Sequence, residues 1–183
     1  PASPQSITWI SGVNGAASPM RLARYWLYKF TNLTSNYANW QQINENTVLQ
    51  SGQGYTMKGS GIVTPPSVLA QNYVFTGKPN NGQINSSGIQ IGINNINLIG
   101  NPYPSAIDAN EFILDNLSAI NGSLYFWEHY TSNSTHVLSG YQGGYATRNL
   151  VGGVPPVSPA LISGLGSSSR IPGRYIPVAQ GYF

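Results

Sequence analysis

Hydrophobic residues fall mostly in short runs that alternate with polar positions, and such runs predict β-strands. We expect strands at 7–10, 24–30, 54–58, 73–76, 89–93, 96–99, 124–130 and 175–178. Clusters of Gly, Pro, Asn and Ser separate the runs and indicate turns. The Asn-Gly pairs at 14–15, 81–82 and 121–122 are typical of type I′ turns. The pattern predicts an all-β fold, a two-sheet, jelly-roll-like β-sandwich.

Two segments depart from the strand pattern. A short helix is predicted near residues 108–117, where Asp108 suits the N-cap and Glu111 closes a capping box three residues later. Phe112, Ile113 and Leu117 supply its apolar stripe. The stretch 150–170 is rich in Gly, Pro and Ser and is interpreted as a long ordered loop.

The length of 183 residues suits one domain, 1–183, of the sandwich kind. A weak internal sequence similarity favours two duplicated halves, at about 5–60 and 95–183. Both halves contain a similar strand sequence, which is followed later by a Gly-Tyr pair next to a Gln. The alternative is that short β-strands reuse the same few residue types. The first residue is Pro1 and the last lies within a strand-like run, so we expect a fragment of a longer chain.

Charge narrows the class of protein. Charged residues make up only 7% of the chain, against roughly a quarter in ordinary soluble proteins, which is common in extracellular β-proteins. The net charge of +3 comes from scattered Lys and Arg, so the basic stripe that nucleic-acid binding requires is missing. Without cysteine, disulfides and thiolate catalysis are excluded. No apolar run approaches the ~18 residues of a transmembrane segment.

The sequence favours no catalytic site, and we expect the chain not to be an enzyme. A glycosidase needs two facing carboxylates, and of the five acids Asp108 and Glu111 are already explained by helix capping. His129 and His136 lack an evident third zinc ligand. We expect no cofactor. Calcium is the ion that suits the chain best, with oxygen ligands from Asn101, Asp108 and Asn110, although the usual Asp-rich loop is missing.

Aromatic residues make up 11% of the chain and give two interpretations. Exposed Trp and Tyr rings on a β-sandwich form stacking surfaces for sugars. Our candidate ligand-binding residues are Trp26, Trp40, Trp127 and Tyr130. The alternative is that these rings fill the core, because large aromatic side chains dominate core area.

The phrase at 97–108, Asn-Leu-Ile-Gly-Asn-Pro-Tyr-Pro-Ser-Ala-Ile-Asp, is the most specific motif of the chain. It resembles a phrase of the β-rich modules found in secreted and cell-surface proteins of Bacteroidota, cargo of the type IX secretion system. The phrases at 75–82, 124–127 and 175–183 resemble other motifs of the same family in the same order. The resemblance implies export and a β-rich fold, and no catalytic residues. Physically, Pro102 and Pro104 indicate a rigid corner between strand and helix.

These observations predict a non-catalytic structural or adhesive module of a secreted or surface-attached bacterial protein. The alternative is a carbohydrate-binding module appended to a secreted polysaccharide-active enzyme. The expected partners are glycans or neighbouring protein modules. Because few charges blunt its sheet edges, self-assembly through a terminal strand near Ile7 or Tyr182 is a further hypothesis.

Overall fold

The computed structural model describes residues 7–17, 19–30, 40–61, 73–85, 96–130, 135 and 137–183. In this part of the chain, strands predominate and helix is scarce, which confirms the expectation of a mostly β structure. The predicted strand at 89–93 and His136 lie outside the described residues. The chain divides into two compact units, Pro1–Ile99 and Gly100–Phe183.

The strands of the described residues are short. Before the unit boundary they are β1 (Thr8–Ile10), β2 (Ala16–Ala17), β3 (Met20–Ala23), β4 (Tyr28–Phe30), β5 (Trp40–Gln42) and β6 (Tyr55–Thr56), and β7 (Ile99–Gly100) lies at the boundary. The second unit contains β8 (Ile107–Asp108), helix α1 (Ala109–Asp115), β9 (Leu124–His129), β10 (Gly143–Arg148), β11 (Gly153–Val157), β12 (Tyr175–Ile176) and β13 (Gly181–Tyr182). No described helix has the length and apolar character needed to span a membrane.

The first unit contains two small sheets, ordered β1-β3-β2 and β5-β4-β6. Leu22, Leu27 and Phe30 are buried in its core. The predicted strand at 24–30 is wrong in its first half, because Arg24–Trp26 form a 3-10 turn between β3 and β4. The turn is closed by the Leu27 N–H on the Arg24 carbonyl at 3.1 Å. Tertiary contacts of the aromatic side chains here outweigh the alternating pattern.

The second unit is built on an antiparallel sheet in the order β11-β10-β9. Its core contains the buried side chains of Tyr182, Ile113 and Ile176. Helix α1 begins where predicted: the Asp108 side chain accepts hydrogen bonds from the N–H groups of Asn110 and Glu111, which confirms the N-cap. The Glu111 carboxylate lies 4.0 Å from Arg174.

Several finer predictions need correction. The interpretation of 150–170 as one long loop is wrong for Gly153–Val157, which form β11, whereas the rest of the stretch contains no strand or helix. The two prolines of β11 lie in the outer strand of a sheet, where a missing N–H is tolerated. No strand forms at 73–76, where Phe75 is 69% exposed. The strands predicted at 54–58, 96–99 and 175–178 shorten to β6, β7 and β12.

The Asn-Gly pairs do not form type I′ turns. Such a turn requires positive φ at both central residues. Gly82 and Gly122 have φ of 73° and 79°, whereas none of the three asparagines has a positive φ. The Asn121 Oδ1 atom accepts the Ser123 N–H at 3.1 Å, whereas the Asn14 Oδ1 atom accepts from the Lys58 ammonium at 3.0 Å.

Candidate functional site

The two longest strands, β9 and β10, place aromatic side chains on one face of their sheet. Successive residues of a strand point to opposite faces, so Tyr125, Trp127 and His129 share the outer face of β9. Tyr145 of β10 lies directly opposite Trp127 in the register. Phe183 joins this face from the C-terminal side, because its N–H and carbonyl both pair with Tyr125, at 2.9 and 2.7 Å.

The rings on this face contact one another. Trp127 lies nearly parallel to Tyr141, with ring centroids 6.0 Å apart and planes inclined by 16°. Tyr145 meets Trp127 edge-on at 4.8 Å and Phe183 edge-on at 5.7 Å. His129 lies 4.9 Å from the Tyr141 ring. We call this set the aromatic surface; it consists of Trp127, His129, Tyr141, Tyr145 and Phe183.

The aromatic surface is held in place and still open to solvent. The Trp127 indole N–H donates to the Tyr141 hydroxyl at 3.3 Å, which fixes the orientation of both rings. Trp127 remains 39% exposed and Tyr145 38% exposed. Large apolar side chains that are grouped and exposed are unusual on a monomeric protein unless they bind something.

Gly143 allows the two stacked rings to lie close to the sheet. A Cβ at this position would come within 2.9 Å of the Trp127 ring, 3.0 Å of the Tyr141 ring and 2.8 Å of the Glu128 carbonyl. Such distances are shorter than real Cβ contacts. The local geometry therefore depends on glycine at this strand position.

The four predicted ligand-binding residues are divided between the two units. Trp26 and Trp40 belong to the first unit, and both are partly buried. The Trp26 indole N–H donates to the Val13 carbonyl at 2.8 Å, and the Lys58 ammonium lies 5.5 Å from its ring centroid. Trp40 packs edge-on against Phe30 at 5.1 Å. These contacts match the alternative interpretation, in which the rings support the fold.

Tyr130 lies in the second unit on the inner face of the sheet, opposite to Trp127. Its hydroxyl is buried without a hydrogen-bond partner. Desolvation, and next the nearby negative charge of Glu128, raise the pKa of Tyr130 above its ordinary value. Of the four predicted residues, only Trp127 belongs to the aromatic surface.

The prediction missed His129, Tyr141, Tyr145 and Phe183. A signal for His129 was present, since Trp127 and His129 share a face by the two-residue period of a strand. Tyr145 could not be placed, because the Gly143–Arg148 run was not recognised as a strand. Tyr141 lies outside any strand, and only tertiary structure brings its ring beside Trp127.

The predicted calcium ligand Asn101 serves the backbone corner in this structure. Its side-chain N–H groups donate to the carbonyls of Ser105, Pro177 and Ile176, at 2.9, 3.1 and 3.3 Å. Its Oδ1 accepts the Tyr103 N–H at 2.9 Å. The residue is buried, so these bonds compensate the desolvation of its amide.

Asp108 and Asn110, the other two predicted ligands, also bind protein donors. Besides its role at the N-cap, Asp108 accepts the Arg174 Nε–H at 2.8 Å on Oδ2. Desolvation acts to raise the pKa of Asp108, but the hydrogen bonds from Asn110, Arg174 and Glu111 outweigh it, so the pKa is lowered. Asn110 Oδ1 accepts from Arg148 at 3.0 Å. The described residues contain no group of three or more His, Cys, Asp or Glu that could hold a metal ion.

The remaining carboxylates of interest are also paired. Arg24 forms a two-point contact with Glu45 in the first unit, and this hydrogen bonding lowers the pKa of Glu45. In the second unit, Glu128 on the inner face of β9 accepts the Ser168 hydroxyl at 3.0 Å and lies 3.5 Å from Arg170.

The structure thus defines a β-rich protein whose second unit presents a grouped set of exposed aromatic rings. The chain belongs to the family described as Domain of unknown function (DUF8693), which matches residues 5–183. Comparisons with curated proteins and with solved structures found no match.

Proposed function

We propose that the chain is a non-catalytic adhesive module of a secreted or surface-attached bacterial protein, and that it binds glycans with the aromatic surface. The observation that carries the proposal is the contact between exposed rings around Trp127. Pyranose rings present faces of C–H groups, which pack favourably on the electron-rich faces of indole and phenol. The hydroxyl of Tyr141 and the imidazole of His129 supply directional hydrogen bonds at the rim.

The pairing of the carboxylates supports a non-catalytic role. Hydrolysis of a glycosidic bond requires two carboxyl groups that face each other across the bond. In the second unit, Asp108 is engaged by Arg174 and by the start of α1, and Glu128 lies by Ser168 and Arg170 on the inner face of the sheet. The aromatic surface itself contains no carboxylate, so we assign it binding alone.

The proposed location outside the cell rests on the sequence, with its low charge and its resemblance to exported modules. The proposed jelly-roll-like β-sandwich rests on residues 126–129 of β9, which alternate between half-buried and exposed, since each strand of a sandwich buries one face. A crystal structure in which all strands fall into two packed sheets supports the sandwich, and any other layer arrangement rejects it.

A glycan array with the purified chain tests the binding function. We expect the wild-type chain to bind at least one polysaccharide and Trp127→Ala to lose about tenfold or more in affinity, as buried aromatic contacts usually require. Tyr25→Ala is the matched control, because Tyr25 is an exposed ring outside the aromatic surface. No binding across diverse polysaccharides, or equal binding by wild type and Trp127→Ala, would reject the proposal.

A further inference from the structure

A groove of about 240 Å³ borders the aromatic surface. It is lined in part by Phe126, Trp127, Glu128, Arg170, Ile171 and Tyr175. Trp127 belongs to the aromatic surface and also lines the groove. Since Trp127 and Glu128 line the same groove, a chain-like ligand that stacks on Trp127 can continue along the groove to Glu128.

Glu128 is a half-satisfied carboxylate in this groove. Its side chain is 17% exposed, which leaves it largely desolvated. The Oε1 atom accepts the Ser168 hydroxyl at 3.0 Å and lies 3.5 Å from Arg170 Nε. Within the described residues, no hydrogen bond reaches Oε2. Oε2 is not among the buried unpaired atoms, so it is open to solvent and can accept a hydrogen bond that a ligand brings.

The residues around Glu128 determine which kind of ligand can donate a hydrogen bond to its carboxylate. Arg170 already lies beside the carboxylate, so a cationic ligand would meet a positive charge. An acidic sugar would bring a second carboxylate into the groove, where like charges repel more strongly than in water. Neutral hydroxyl groups avoid both costs and form strong, charge-assisted hydrogen bonds to the carboxylate. The apolar side chains of Phe126 and Ile171 pack against the C–H groups of the same sugar.

We propose that Glu128 is a specificity-determining residue that accepts hydrogen bonds from the hydroxyls of a neutral sugar, while the adjoining sugar stacks on Trp127. This inference rests on the proposed glycan-binding function. It assigns uncharged polysaccharides as the ligand class and predicts discrimination against polymers that contain carboxylates.

The test compares Glu128→Gln with Trp127→Ala. The probes are the uncharged polysaccharide with the strongest array signal and the carboxymethylated derivative of the same polymer, titrated by calorimetry. We expect E128Q to bind the uncharged polymer about tenfold more weakly and to discriminate less against the carboxymethylated one, because a charge-assisted bond becomes a neutral one. Glu111→Gln is the matched control, since it removes an exposed carboxylate of the same length from α1.

The outcomes separate this inference from the proposed function. Loss of binding in both E128Q and W127A, with E111Q unchanged, supports both proposals. Wild-type affinity and discrimination in E128Q, together with lost binding in W127A, overturns the role of Glu128 and leaves the function standing. Unchanged binding in both variants overturns both proposals. If E128Q unfolds, Glu128→Asp replaces it, and we expect the same loss because the shortened carboxylate withdraws from the groove.

Discussion

The two faces of the paired strands β9 and β10 place aromatic residues in opposite environments. On the outer face, Trp127 and Tyr145 touch each other and stay more than one third exposed. On the inner face, Phe126 packs 5.8 Å from the buried ring of Tyr182, which in turn meets Phe112 of α1 edge-on at 5.5 Å. The residue type is the same on both faces, so exposure and neighbours decide whether a ring is open to a ligand or packed in the core.

The adjacent residues Gly143 and Gly144 contact opposite faces of the sheet. Gly143 lies beneath the stacked rings of the outer face, and Gly144 beneath the inner face. A Cβ at Gly143 would meet the Glu128 backbone carbonyl at 2.8 Å, and ring atoms of Trp127 and Tyr141 at 2.9 and 3.0 Å. A Cβ at Gly144 would overlap the Tyr130 hydroxyl and the backbone carbonyl of Val157. Substitutions at these two positions therefore press on opposite faces of the sheet.

The largest expected effect is that of Gly144→Ala. The new methyl group cannot avoid the Val157 carbonyl unless β11 moves, so we expect a loss of about 2–4 kcal/mol in the free energy of unfolding, at the upper end for overpacking. Urea denaturation measures it. Gly152→Ala is the control, because no atom lies within 4 Å of its added Cβ. Equal stability of G144A and wild type would show that the inner face is not tightly packed.

Alkaline pH tests the inner face as a whole. Burial, and next the charge of Tyr103, raise the pKa of Tyr182 well above its ordinary value. The unfolded chain then loses this proton near pH 10 while the folded chain keeps it, so stability is full below about pH 10 and falls as the pH rises further. We expect Tyr182→Phe to lessen this fall in chemical denaturation at several pH values. An equal decline in wild type and Y182F would contradict the buried position of Tyr182.

The sequence was sufficient to predict a mostly β structure and features that depend on neighbouring residues. It was insufficient to predict the aromatic surface. Asp108 was found at the N-cap because capping depends on neighbouring backbone groups. The strand at 124–130 was found because its apolar run is long. The 3-10 turn at Arg24–Trp26 and the strand β11 were missed, because each depends on partners distant in sequence.

The hypothesis of self-assembly through the strand near Tyr182 also depends on contacts that the sequence does not reveal. The chain near Tyr182 read as an available edge, yet the structure bonds it on two sides. The Asn101 N–H donates to the Gln180 carbonyl at 3.0 Å, and Phe183 pairs with Tyr125. Both contacts join residues that lie far apart in sequence. A strand that is paired on both sides offers no free edge for assembly.

We expect Gly143→Ala to disturb the rings of the outer face and to cost less stability than Gly144→Ala. The overlap with the Glu128 carbonyl, at 2.8 Å, is milder than the overlap of a Cβ at Gly144 with the Val157 carbonyl, and the two rings can shift. We therefore expect a loss of about 1–2 kcal/mol in stability, smaller than that of Gly144→Ala. The displaced rings of Trp127 and Tyr141 should nevertheless change the near-ultraviolet circular dichroism and weaken binding to the glycan found on the array. An unchanged spectrum with intact binding would show that the rings do not depend on Gly143.

The smallest expected effect is that of Tyr130→Phe. The Tyr130 hydroxyl is buried and has no hydrogen-bond partner. Its removal therefore abolishes the free-energy cost of burying a polar group and breaks no hydrogen bond. We expect the free energy of unfolding to stay equal or to rise by up to about 1 kcal/mol.

Tyr141→Phe is the comparison on the outer face, since it removes the acceptor of the Trp127 indole N–H. It should alter the Trp127 fluorescence, whereas Y130F should leave glycan binding intact. A marked loss of stability in Y130F would mean that its hydroxyl has a partner, and the inner face would then combine packing with a polar contact.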